Sequence, residues 1–175
     1  VILTGPEIHA RIERGEIKVS PYDPTLIQPN SLDFHLGDTI GWYTAEVLDC
    51  ARENAFEVHP IPTDGMVLSP DRIYLAPTLE RIGSDTVVPI IRAKSSIARL
   101  GLFVHVTADL IDLGSYGQLT LQLHCSGAPV LIYPGMPIGQ VTFWETTGEI
   151  VLYDGKYQNS TGPMPSQSYR DFEDR

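Results

Sequence analysis

Cysteine is nearly absent: Cys50 and Cys125 are the only two in 175 residues. Two thiols build neither a disulfide framework nor a thiolate zinc cluster. Each is expected to be a packed free thiol rather than a nucleophile, because free cysteine is among the most buried residue types. Positive charge is scarce as well. Twelve Lys and Arg stand against 22 Asp and Glu, a formal net charge of −10, which repels a phosphate polymer at long range and argues against a nucleic acid polymer as partner. A small phosphorylated ligand needs only a few local cations and stays compatible. No apolar run approaches the roughly 18 residues of a membrane span, and residues 1–20 lack a signal-peptide pattern. The expectation is a cytoplasmic protein with no membrane partner. No repeat, low-complexity tract or linker divides the chain, so residues 1–175 are expected to form a single domain around one core.

What is present is a series of short β-like runs. The start, LTGPEIHARIERGEI, offers Thr4 as a helix N-cap, Glu7 as the other half of a capping box, Ile8 and Ile12 on one face, and Gly15 as a stop. After it, Pro and Gly recur every several residues. Between them lie MVLSP, RIYLAPTL, TVVPIIRA, GQLTLQL, APVLIYPG and IGQVTFWE. Strands of this length between turn formers predict an all-β barrel or sandwich.

Two stretches carry polar groups inside this apolar pattern. In SSIARLGL, Ser95 or Ser96 can cap a single helical turn that Gly101 ends. Free amides and hydroxyls beside Lys94 and Arg99 suit an anion, although the serines could equally be plain caps and the cations solvated. In GQLTLQLHC, Leu119, Leu121 and Leu123 take one face, while Gln118, Thr120, Gln122 and His124 take the other, which is either solvent or a polar pocket. The tail from residue 153 to 175 has little periodicity and reads as a frayed terminus or a mobile lid arm. On their own, Asp112 before Gly114 is a turn former. His105 and His124 are packing or hydrogen-bonding residues rather than metal ligands. Asp33, Asp38 and Asp49 are loop or interface carboxylates, and Trp42 and Trp144 are core or interface anchors.

The segment KSSIARLGLFVHVTADLIDLGSYGQLTL, with QPNSLDFHLGD before it and YPGMPIGQVTF and GKYQNSTGPMPSQSY after it, resembles the dCTP deaminases of the dUTPase-like superfamily. The resemblance implies a distorted jelly-roll, β-clip or barrel-like subunit that assembles as a homotrimer with active sites between subunits. It also implies Mg²⁺ carried on the nucleotide triphosphate, with no zinc. Members convert dCTP to dUTP and ammonia. Bifunctional members continue to dUMP and pyrophosphate, and the sibling dUTPases perform only that second hydrolysis.

Carried over position by position, Lys94, Ser95, Ser96 and Arg99 match the phosphate-binding turn. Asp112 matches the carboxylate that holds the deoxyribose 3′-hydroxyl, or positions the attacking water in dUTPases. Ala108 matches a small residue beside the base, and His105 falls in the same motif with a structural or interface role. Gln140 resembles a phosphate-contacting residue, and Tyr153, Lys156 and Tyr157 match the closing C-terminal segment. Lys94 stands where monofunctional members carry arginine, which resembles bifunctional members. Asp109, Leu110, Leu113 and Ser160 also depart from the common pattern.

The main departure is Gln122, at the position of the family's general-base glutamate. A carboxamide cannot cycle a proton, and the H-x-E and P-C-x-x-C arrangement of the zinc deaminases is absent. Three readings are open. The chain is a deaminase disabled at this position, or a member that keeps dUTP hydrolysis through Asp112, or a nucleotide binder without turnover. With the resemblance, Arg99 is also expected to orient residue 122.

Overall fold

The computed structural model describes residues 1–172; the last three positions of the expected arm lie outside the described residues. The chain begins with α1 (Gly5–Glu13), β1 (Ile17–Ser20), β2 (Ile27–Gln28), β3 (Ser31–His35), β4 (Thr39–Tyr43), β5 (Phe56–Pro60) and β6 (Met66–Leu68). It continues through β7 (Tyr74–Ser84), β8 (Val87–Ala93), the one-turn α2 (Ser95–Ala98), β9 (Leu102–Phe103), β10 (Tyr116–Cys125), β11 (Val130–Ile132) and β12 (Pro137–Glu145). The expected mainly-β class is what the chain adopts, and each β-like run read from the sequence falls on a strand.

The strands form three antiparallel sheets: β5-β4-β7-β10-β9 with β1 also on β7, then β2-β3-β12-β8, then β6-β11. These sheets do not close into the expected barrel. Open edges are instead covered by irregular backbone, which satisfies their polar groups as well as a closing strand would. Ile91 N on β8 donates to the Asp109 carbonyl at 2.9 Å and Ile111 N donates back to the β8 carbonyl of Pro89 at 3.0 Å, so residues 109–111 cover the β8 edge. The arm does the same for β10. The core lies between the two larger sheets, with Phe34, Leu36, Leu121, Leu123, Ile138 and Phe143 fully buried. β10 contributes through strict alternation, each Leu inward and each polar neighbour half-buried outward.

Local expectations need three corrections. Thr4 is the N-cap of α1 but makes no side-chain cap bond. Glu7 turns instead to Arg11 and Arg14 at 2.9 and 3.2 Å, because charge-assisted pairs outcompete the neutral backbone amide. Ser95 and Ser96 do not cap α2; Lys94 occupies that position and the serines are its first helical residues. Cys125 is buried as expected, but Cys50 is exposed, since it sits in the open connection between β4 and β5. Gly15 does end α1, in the left-handed region at φ 75°, where a side chain is unfavourable.

Candidate active site

One cleft of about 320 Å³ is lined by Ser31, Asp33, Lys94, Ser95, Ser96 and Gln140, with Gln28 to Asn30 at its rim. β12 assembles it by running between β3 and β8, with Gln140 opposite both Asp33 and Arg92. Ser31 donates its hydroxyl to Gln140 Oε1 at 2.6 Å, and Gln140 Nε2 donates to the Ala93 carbonyl at 3.1 Å. Lys94, half-buried at the start of α2, pairs its ammonium with the Asp33 carboxylate. Ser95 and Ser96 are exposed beside it, and as the first residues of a helix their amides have no intrahelical acceptor. Lys94, Ser95, Ser96 and Gln140 were all expected in one site, and the fold joins them across a long stretch of sequence.

Asp33 was missed. It is a strand residue only 6% exposed, not a loop carboxylate. The signal was present, since SLDFHL alternates polar and apolar residues as clearly as GQLTLQLH does.

Other expected residues lie elsewhere. Asp112 and Tyr153 line a second cleft of about 450 Å³, with Leu113, Thr146 and Leu152 among its walls. The Asp112 carbonyl accepts from Ser115 N at 3.1 Å, closing a turn, and Tyr153 N donates to the Leu113 carbonyl at 2.7 Å. So Asp112 is the turn former the residues alone suggested, and its exposed carboxylate makes no hydrogen bond or ion pair among the described residues. Arg99 is exposed and donates to the Ser95 carbonyl at 3.1 Å; it touches neither cleft nor Gln122, so within one chain it does not orient that residue.

Gln122 is half-buried on the polar face of β10, its backbone N–H donating to the Val104 carbonyl at 3.1 Å. Ala108 is exposed in the loop that follows Val104. In the same loop both ring nitrogens of His105 are buried without a hydrogen-bond partner among the described residues. Burial pushes the His105 pKa below its ordinary value, against a smaller upward pull from the Ala108 backbone and the Asp109 carboxylate. The ring is therefore a neutral imidazole at neutral pH.

The arm lies docked. Asn159 N donates to the Tyr116 carbonyl and Gln118 N to the Ser160 carbonyl, both at 3.0 Å, which adds the arm to the free edge of β10. Farther along, Ser166 N donates to the Tyr43 hydroxyl at 2.6 Å. Lys156 pairs with Asp171 at 2.6 Å, and the Tyr157 hydroxyl accepts from Gln167 N at 2.8 Å. These two arm residues face other parts of the arm, not either cleft of their own chain.

Residues 2–146 match the family model described as dCTP deaminase-like. The chain is 38% identical over 174 residues to "dCTP deaminase, dUMP-forming" of Hathewaya histolytica, covering 99% of this chain and 100% of that protein. It is 40% identical over 174 residues to the protein of the same description from Clostridium beijerinckii, covering 99% of each. To "dCTP deaminase" of Rhodopirellula baltica it is 39% identical over 178 residues, covering 100% of this chain and 89% of that one. Among solved structures, the fold resembles the crystal structure of 2′-deoxycytidine 5′-triphosphate deaminase from Agrobacterium tumefaciens. The TM-score is 0.64 at 24% identity, covering 81% of this chain and 47% of that one.

Proposed function

The chain belongs to the dCTP deaminase-like family, and from that premise we propose that it is a hydrolase acting on dCTP and dUTP as their Mg²⁺ complexes. The observation that carries this reading is the single cleft shared by Lys94, Ser95, Ser96 and Gln140. An ammonium, two hydroxyls, free helix-start amides and a carboxamide together suit the oxygens of a triphosphate. Arg99 lies outside this cleft in its own chain, and in this reading it reaches phosphate only when its side chain leaves the Ser95 carbonyl. Among the described residues no three His, Cys, Asp or Glu side chains converge, and the Mg²⁺ of this reading arrives on the substrate's phosphates.

Asp112 receives the sugar 3′-hydroxyl, Ala108 leaves room for the pyrimidine, and residue 122 faces C4 of the base. Deamination requires water to add at C4 and its proton to be taken up and passed to the ring and the leaving ammonia. Gln122 donates and accepts hydrogen bonds but holds no exchangeable acid proton. Loss of general acid–base help lowers such a step by ~10²–10⁴. The second step, attack of water on dUTP to give dUMP and pyrophosphate, needs a carboxylate to orient water rather than a base at position 122. The unpartnered carboxylate of Asp112 favours that second reading.

Within one chain the two clefts and the Gln122 face are separate, and Lys156 and Tyr157 reach neither cleft. This supports a homotrimer in which each site is completed by another copy. Exposed Leu100, Phe103, Val106 and Leu110 around α2 and the following loop supply apolar surface for such a contact.

The test is a product assay of the protein and its Gln122→Glu form with dCTP or dUTP and Mg²⁺, resolving dUTP, dUMP, pyrophosphate and ammonia, with the mass in solution measured by sedimentation. The expected result is dUTP hydrolysis by both forms, ammonia from dCTP chiefly with the Glu form, and a particle of three chains. Tight nucleotide binding with no product from either form would make the protein a binder and overturn the hydrolase reading.

A further inference from the structure

The largest sheet ends on one side at β5, whose residues run Phe56, Glu57, Val58, His59, Pro60. At the two ends of its ladder with β4, Thr44 N donates to the Ala55 carbonyl at 3.1 Å and Ile61 N to the Asp38 carbonyl at 2.7 Å. Bonded and non-bonded pairs alternate along an antiparallel ladder. With Trp42 opposite Glu57 and Ile40 opposite His59, the main-chain groups of Glu57 and His59 therefore turn to β4, and those of Phe56, Val58 and Pro60 turn outward. There the amides of Phe56 and Val58 have no acceptor among the described residues, and Val58 is 51% exposed. Loop and arm backbone cover the β8 and β10 edges; no backbone among the described residues covers this one.

A bare edge recruits extended chains without discrimination, and β5 carries features that narrow the choice. Pro60 has no N–H, so the edge runs out of donors at that end. Glu57 and His59 flank Val58 on one face, 3.3 Å apart, and the His59 ring is held by stacking on Trp42, with centroids 4.5 Å apart and planes at 13°. A strand without matching groups would desolvate Glu57 against nothing. A second copy of β5, antiparallel with Val58 opposite Val58, sets each Glu57 opposite the other copy's His59, at the close spacing of a non-bonded pair, where such groups attract. The two Val58 residues then exchange N–H···O bonds, and each Phe56 N–H meets the opposing Pro60 carbonyl. Sliding by two residues, the smallest step that keeps the outward groups facing, sets Glu57 against Glu57 or His59 against His59. The match exists in one register only, centred on Val58.

We infer that β5 is a self-complementary edge at which two copies of this chain pair around a two-fold axis, the sheet of one continuing into the sheet of the other. The contact goes beyond the trimer of the nucleotide reading and does not use its surface. Leu100, Phe103, Val106 and Leu110 lie around α2 and β9, and β9 is the opposite end of the same sheet. Both contacts can therefore form at once, joining two particles of three chains into one of six.

The test is sedimentation of the full chain from about 1 to about 100 μM, a range in which a modest interface assembles. The mass should double within it, from three chains to six, or from one to two should the trimer reading fail, so the two failures are told apart. Val58→Pro removes an amide that the fold itself leaves unused, so the melting temperature should hardly move while the doubling weakens about tenfold or more. If Val58→Pro does not fold, Glu57→Lys decides: it replaces the attraction to His59 by repulsion or indifference and should weaken the doubling, and adding His59→Glu to the same chain should restore it. A mass that stays constant over the whole range, or a doubling that neither Val58→Pro nor Glu57→Lys weakens, overturns the inference.

Discussion

Gln118 and Gln122 lie on the same face of β10, yet the fold treats them oppositely. Gln118 is fully engaged: Nε2 donates to the Thr78 carbonyl at 2.9 Å, and Oε1 accepts from Gly162 N at 2.8 Å. Its carbonyl accepts from the Ser160 hydroxyl at 2.7 Å. The arm is stitched to the sheet through this residue. The Gln122 carboxamide makes no hydrogen bond among the described residues. Its amide atoms are not among the buried unpartnered ones, so they take their hydrogen bonds from water or from a bound molecule. Gln118 is a structural glutamine, whereas the Gln122 carboxamide is left open on the same face.

The contrast is sharpened first where the effect is largest. Gln122→Glu should raise ammonia release from dCTP by ~10²–10⁴ while leaving the melting temperature nearly unchanged; no gain would place the deamination chemistry elsewhere. Next comes stability. Gln118→Leu should cost about 1–3 kcal/mol and speed amide exchange over residues 159–164, whereas Gln122→Leu should cost less than about 0.5 kcal/mol. Equal losses at the two positions in denaturant melts would erase the distinction. Gly117→Ala should act like Gln118→Leu without touching an amide, because a Cβ there would lie 2.6 Å from the Ser160 hydroxyl oxygen and 2.8 Å from its nitrogen. Limited proteolysis of the arm reads this directly.

Period-two alternation made β10 and its two faces legible in the sequence, and the Lys94 to Ser96 turn was legible as a break in that period. What distinguishes Gln118 from Gln122 was not, because it depends on where a distant arm docks. That arm attaches through backbone atoms of Asn159, Ser160 and Gly162 and through the polar side chains of Gln158 and Ser160, which leave no hydrophobic period to read. Barrel closure was misjudged for a related reason: backbone from the 109–111 loop covers an edge as effectively as a strand does. The unmet capping box shows competition between local signals, with Glu7 drawn to two arginines. The alternation of SLDFHL marks Asp33 as one polar residue of a short strand, but its pairing with Lys94 joins positions 61 apart in sequence and is visible only once β12 brings β3 and β8 together.

The smallest expected effect concerns the surroundings of Gln122 and depends on pH. His105 follows Val104, whose carbonyl holds the Gln122 backbone amide, and its buried ring has a pKa lowered from 6.5 chiefly by desolvation. The unfolded chain takes up a proton near the ordinary value that the folded ring refuses. The stability that this site contributes is therefore fully present above about pH 6.5 and is lost as pH falls toward the folded pKa. The slope is at most about 1.4 kcal/mol per pH unit. Glu7, Glu16, Asp23 and Asp71 have pKa values lowered beneath 4.5 or 3.8, so their losses come at more acidic pH. Denaturant melts between pH 7.5 and 5.5, compared with His105→Phe, isolate the histidine, and the variant should flatten the slope. Hydrogen exchange over the same range should loosen the Gln122 amide before that of Gln118, because only the former hangs on the loop that must accommodate the charge. If both amides loosened together, or neither did, the two ends of the β10 face would not be independent.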